Sequence, residues 1–147
     1  MRLAQFIALV LTALALVPVG AHLFALPNKI GMDETDYFVA QRIYDGWAVL
    51  GVVLIGAIIA NAAAAIASRR QAWPAALAGL AALLMVATLA IFFAFTFPAN
   101  QATANWTTAP DDWQALRRQW EVSHAVNAVI TFAAFCSLSL AVILSRR

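Results

Sequence analysis

Four apolar runs divide the chain: Leu3 to Leu26, Gly46 to Ala67, Ala72 to Phe97, and Val122 to Leu144, the last belonging to a helix that starts by about residue 120. Crossing a hydrocarbon core of about 30 Å takes about 20 apolar residues. Each run has that length, and none contains Asp, Glu, Lys or Arg. The connection between the second and third runs, SRRQAWP, is so short that these two spans must be antiparallel neighbours. The other two connections are longer and carry nearly every polar residue. The pattern predicts an all-α, transmembrane four-helix up-down bundle, with residues 1–147 forming a single integral membrane domain and spans at about 3–26, 46–67, 72–97 and 120–144.

Finer signals refine the elements. PNKIG, after the first run, has the residues of a turn. Asp33 followed three residues later by Asp36 has the residue types of a capped helix start. Tyr37, Gln41, Tyr44 and Ala48 then recur at steps of four, three and four, one helical face that would run on into the second span. Thr107, Thr108, Pro110, Asp111 and Asp112 have the composition of another start. A helix from Pro110 to Leu144 would be roughly 50 Å long at 1.5 Å per residue, so its first turns must project beyond the apolar layer or bend along it. Pro18 withholds a backbone donor from Leu14 and predicts a kink in the first span. Gly56 and Ala60 stand at the small-xxx-small spacing that lets helices approach closely in lipid. Trp73 and Pro74 open the third span as interfacial anchor and first-turn proline.

Composition agrees: 64% of residues are hydrophobic, 11% are charged and the mean hydropathy is +0.83, far from the averages of soluble domains. The formal net charge of +2 conceals an asymmetry. Arg2, Arg69, Arg70, Arg146 and Arg147 occupy the amino terminus, the short turn and the carboxyl terminus, with no acid among them. All seven acids lie in or beside the two long connections. By the positive-inside rule both termini are expected in the cytoplasm, and the long connections on the outer side. Neither face amounts to a nucleic-acid footprint. Arg2 ahead of an apolar run and the small residues Val19-Gly20-Ala21 also suit a signal peptide, but the run continues to Leu26 and favours a span. The single cysteine, Cys136, cannot form an intrachain disulfide and is expected to be a small buried hydrophobe.

The chemistry is concentrated in NQATANWTTAPDDWQALRRQWEVSHA, residues 100–125. On a helix, Trp113, Arg117, Trp120, His124, Asn127 and Thr131 form one stripe, with Glu121 beside it and Arg118 pointing away. Arg, His and Asn facing lipid are costly, so the stripe should face the bundle interior or a cavity. His22, one turn from the outer end of the first span, should lie at the same depth as His124. These are the two histidines of the chain. Blander roles exist for each: the histidines as interhelical hydrogen-bonding groups, Asn100, Gln101 and Asn105 as helix-end caps, Asn61 as a packing hydrogen bond, and Trp106, Trp113 and Trp120 as an interfacial aromatic belt.

The four spans, the Pro-Asn-Lys segment, NQATANWT and PDDWQALRRQWEVSHA together resemble the anthrone oxygenase-like family of small membrane proteins, most of whose bacterial members have no assigned function. The resemblance covers essentially the whole chain and implies the bacterial inner (cytoplasmic) membrane as its place. It also implies oxidation of an anthrone to an anthraquinone by molecular oxygen, with no metal or flavin cofactor. The positions it carries over are Asn100, Asn105, Trp113, Arg117, Trp120 and His124, to which this chain adds His22 in GAHLFALPNK, a segment associated with a bacterial subgroup. In such chemistry a base removes a C–H proton alpha to a carbonyl and donors stabilise the enolate. His124 has the residue type of the base and Arg117 that of the oxyanion holder. Trp113, Trp120, Asn100, Asn105, Asn127 and His22 would contact the substrate.

Two other readings fit the same residues. His22 and His124, at equal depth on different helices, have the placement of axial ligands to a b-type haem. A zinc ion would need Glu121 or another acid as third ligand, and Glu121 is displaced around the helix from His124. Alternatively the chain is a non-catalytic accessory bundle whose Gly/Ala faces meet membrane lipid, a second copy of itself or a larger membrane protein.

Overall fold

Hydrocarbon offers no hydrogen-bonding partner to a peptide group, so a spanning segment has to satisfy its own backbone. In a computed structural model, which describes residues 1–145, all four apolar runs are helical. Arg146 and Arg147, part of the charge argument, lie outside the described residues. Helix α1 runs Arg2–Lys29, α2 Glu34–Gln41, α3 Gly51–Ala67, α4 Ala72–Ile91, α5 Phe97–Ala102 and α6 Trp113–Leu144. Short 3-10 turns, Arg42–Tyr44 and Trp47–Leu50, lead into α3, and a π turn, Phe92–Thr96, joins α4 to α5. Four helical stretches, Arg2–Lys29, Trp47–Ala67, Ala72–Ala102 and Trp113–Leu144, are long and apolar enough to cross a membrane.

The helices pack in a ring in which α1 touches α3 and α6, and α4 touches α3 and α6. That is the up-down arrangement expected from the connection lengths. Lipid tails are as apolar as leucine, so association rests on close packing and buried polar contacts rather than on escape from water. The interior is accordingly alanine-rich, with Ala8, Ala15, Ala57, Ala64, Ala78, Ala81, Ala134 and Ala141 around Met85 and Leu138. A Cβ built on Gly56 would meet the Leu11 side chain of α1 at 3.5 Å, an ordinary contact, so α3 lies close against α1 there. Asn61 Nδ2 donates to Thr12 Oγ1 at 2.8 Å, the packing hydrogen bond foreseen for it. The outward face is apolar, with Leu3, Phe24, Val52, Leu83 and Ile143 all strongly exposed.

One end of the bundle gathers Met1, the Ser68–Gln71 turn and Ser145. Gln5 Nε2 reaches Ser145 Oγ at 2.6 Å and Ser68 Oγ at 3.4 Å there. We call this the basic end, and the opposite one, covered by α2 and the 103–112 loop, the loop end.

Several local expectations change. Pro27, Asn28 and Lys29 belong to the last turn of α1, and the turn comes only at Ile30 and Gly31. The Asp33 cap is present, its Oδ1 accepting from the Asp36 backbone N–H at 2.9 Å. The helix it starts does not continue into the second span, because Gly46 takes a φ of +81° and resets the chain direction. α6 begins at Trp113 rather than Pro110. α1 stays helical through Pro18 and Pro27. Each of these prolines still withholds its N–H from the preceding turn, and the third span adds a second irregularity, a π turn over Phe92–Thr96 with Pro98 two residues beyond it. Cys136 is exposed on the apolar outer surface rather than buried, because Ser137, Leu138 and Ala141 take the inward face.

Candidate functional site

The loop end is built around a buried charge pair. Lys29 Nζ lies 2.7 Å from Glu121 Oε1, with side chains 6% and 0% exposed. α2 supplies the lid over them: Tyr37 donates to Glu121 Oε1 at 3.0 Å, and Gln41 Nε2 donates to Tyr37 Oη at 2.8 Å. Burial, then the neighbouring Glu121 charge, pushes the Tyr37 phenol well above its ordinary range, so its O–H is kept as a donor. Tyr37, Gln41 and Tyr44 thus share one side, as their spacing predicted.

The second wall comes from an unusual turn. Ala104, Asn105 and Trp106 have φ of 47°, 56° and 62°, three successive left-handed residues without a glycine. Each such residue costs roughly 1–2 kcal/mol, and strain of this kind persists only where surroundings over-determine it. Here Asn105 N–H donates to Asn100 O at 2.7 Å, and Trp106 N–H donates to Thr103 Oγ1 at 3.1 Å. The turn drives Trp106 inward against Tyr37, Phe38 and Trp120. Asn100 Oδ1 accepts from two indoles, Trp106 Nε1 at 3.1 Å and Trp120 Nε1 at 2.8 Å. Trp106, Trp113 and Trp120 are therefore interior groups rather than an interfacial belt, whereas Trp73 is 74% exposed.

Below this layer lies a cavity of about 690 Å³ between the loop-end halves of the four spans. Its wall includes His22, Tyr44, Trp47, Asn100, Asn105, Trp120, His124, Asn127 and Thr131. The two imidazoles stack, with centroids 4.0 Å apart and planes 27° from parallel. His22 also touches the Tyr44 ring at 4.2 Å, and Trp120 stands edge-on to His124 at 4.2 Å. The Nδ1 atoms of both histidines and Asn127 Oδ1 are buried without a hydrogen-bond partner. Such groups are rare in folded proteins. At Ile55 of α3 and Phe93 of the π turn the wall reaches the outer surface, since both line the cavity while 44% and 57% exposed. The π turn contributes Phe92, Phe93 and Thr96 to the same side.

The stripe on α6 divides. Trp120, His124, Asn127 and Thr131 reach the cavity together with His22, Asn100 and Asn105. Trp113 and Arg117 do not. Trp113 packs with Tyr37 and Phe38 above it. The Arg117 guanidinium lies over the Trp113 and Tyr37 rings, at 4.7 Å and 5.3 Å from their centroids, and donates to the Met32 carbonyl. It anchors the α1–α2 connection and does not share the cavity wall with His124. Arg118 is exposed, as its angular position requires. Sequence reasoning missed Lys29, Glu121 and Tyr44 as part of the site. The one available signal was a carboxylate beside an inward stripe in an apolar protein.

Haem does not fit this arrangement. Ligand lone pairs lie in the imidazole planes, and axial nitrogens on either side of one iron sit about 2 Å from it, with the rings edge-on to the metal. Rings stacked face to face at 4.0 Å leave no place for a porphyrin between them. Among the described residues there is no cluster of three or more His, Cys, Asp or Glu side chains able to hold a metal ion, which also disposes of the zinc arrangement.

Fold and site together define a four-helix membrane protein with an aromatic-walled cavity in one half of the bundle. Comparisons with protein-family models, curated proteins and solved structures find no match to the chain.

Proposed function

We propose that the cavity binds a planar, largely apolar small molecule and that His124 removes a proton from it, in an oxygenase-like reaction of the kind the sequence resemblance implies. The supporting observation is the His22–His124 stack in the wall of a cavity of about 690 Å³. That volume is in the range of small-molecule sites, which are apolar with a few placed polar groups. Aromatic edges and faces from Tyr44, Trp47 and Trp120 suit a flat ring system.

For an anthrone, a neutral His124 takes one hydrogen of the ring CH2 as a proton, leaving an enolate that reduces molecular oxygen. The carbon becomes a ketone carrying one oxygen atom. The second oxygen atom leaves as water with the two hydrogens, so the reaction balances without a further reductant. Enolate charge needs donors. Arg117 does not line the cavity, and Asn100 replaces it in this reading: with Oδ1 taken by two indole N–H groups, its amide NH2 is the end left to donate. His22 holds the His124 ring in place by stacking.

Oxygen uptake by the purified protein with anthrone tests this. A general base contributes about 10²–10⁴-fold, so His124→Ala should reduce the rate at least about 100-fold, while Arg117→Ala should leave it within a few-fold of wild type. Wild-type protein without uptake above buffer, or a His124→Ala rate equal to wild type, would refute the proposal. A Soret band in the visible spectrum would point to haem instead.

A further inference from the structure

Three acceptors surround the Lys29 ammonium: Glu121 Oε1 at 2.7 Å, and Gln41 Oε1 and Tyr44 Oη at 3.3 Å each. A lysine has three N–H donors, so its capacity is fully used. Two of these partners belong to a closed circuit, since Gln41 donates to Tyr37 and Tyr37 donates to Glu121. Tyr44 stands outside that circuit. Its oxygen accepts from Lys29, its hydrogen has no acceptor among the described residues, and its side chain borders the cavity.

A pin between α1, α2 and α6 would not need Tyr44 at all. A buried ion pair is moreover an expensive pin, because desolvation of two charges offsets much of their attraction. Lys29 and Glu121 lie towards the loop ends of two spanning helices, and a buried ionisable pair in so apolar a protein is a candidate for function. The ammonium also lies 4.5 Å from the Tyr44 ring centroid and 4.7 Å from that of Trp120, two walls of the cavity. A hydroxyl that accepts from a cation is polarised and donates more strongly. Burial, followed by the Glu121 charge, raises the Tyr44 phenol above its ordinary value, so the hydrogen is retained.

We propose that Tyr44 donates its hydroxyl hydrogen to an oxygen atom of the ligand in the cavity, and that Lys29, held by Glu121 and Gln41, is the positioning residue that aims and polarises it. The site then selects flat apolar molecules bearing a carbonyl or phenolic oxygen on one edge. This rests on the cavity being the ligand site proposed above.

Two probes of like shape separate the claims: anthraquinone, with carbonyl oxygens, and anthracene, without. Binding is read from quenching of tryptophan fluorescence in the full-length protein. Loss of one neutral hydrogen bond corresponds to about tenfold in affinity. Tyr44→Phe should weaken anthraquinone by about that factor and leave anthracene unchanged. Lys29→Met, made together with Glu121→Gln so that no buried charge is unpaired, should produce the same selective loss, and adding Tyr44→Phe to that variant should change nothing more. Equal losses for both probes, or none for either, would overturn the role of Tyr44. Additive losses would overturn the action of Lys29 through it. If the charge-pair variant fails to fold, Tyr44→Phe alone decides. Wild-type protein that binds neither probe would instead bring down the ligand reading of the cavity.

Discussion

Replacing Glu121 by glutamine removes the counter-charge of Lys29 while keeping the shape of the side chain. At the observed 2.7 Å, the gross attraction is about 6 kcal/mol at an effective dielectric constant of 20. The amide of glutamine still accepts from Lys29 and Tyr37, so part of that is retained. What is left is an ammonium in a site where its side chain is 6% exposed, and breaking one partner of such a pair costs about 3–5 kcal/mol. Removing both charges, as Lys29→Met with Glu121→Gln, leaves nothing unpaired and should cost less than Glu121→Gln alone. The assay is unfolding in mixed micelles of increasing dodecyl sulfate, followed by far-ultraviolet circular dichroism. A single substitution costing under about 1 kcal/mol, or a double cost equal to the sum of the singles, would refute the claim that the two charges are desolvated together.

Two further outcomes follow from local geometry and charge. Ala104→Gly should stabilise the protein by up to about 1 kcal/mol, since glycine accepts the left-handed conformation without the Cβ penalty; a destabilised variant in the same unfolding assay would contradict the strain assigned to the turn. In a Cys136→Ser background, cysteine at Asp36 or Asp111 should label from outside intact cells with an impermeant maleimide, and cysteine at Gln71 should not; the reverse pattern would invert the orientation expected from the arginines.

The bundle was legible in the sequence because length and apolarity alone specify a spanning helix, and a short turn specifies its neighbour. The inward face of α6 was legible as far as helical periodicity reaches. His22 and His124 were matched by depth, and their rings do meet. Periodicity says nothing about what folds over a helix end, however. Arg117 continues the stripe, yet Met32 and the Tyr37 ring from a distant segment claim it. Lys29 and Glu121 are far apart in the chain, on helices whose rotation is set by packing, and no spacing rule joins them. The turn at 104–106 was invisible because left-handed backbone is ordinarily marked by glycine, and none is present. Cys136 was misplaced because alanine-rich helices offer little contrast between faces.

The exposed Ile55 of α3 and Phe93 of the π turn, both in the cavity wall, change the reference state for anything that binds behind them. A solute arriving there from the acyl chains has already left water, and the free energy of dehydrating its apolar surface was realised on partitioning into the bilayer. Exchanging lipid contacts for Leu54, Leu89 and Phe92 then adds little. Net affinity and selectivity would be decided by the few polar groups of the wall, and the concentration that governs occupancy would be moles of solute per mole of lipid rather than per litre of buffer.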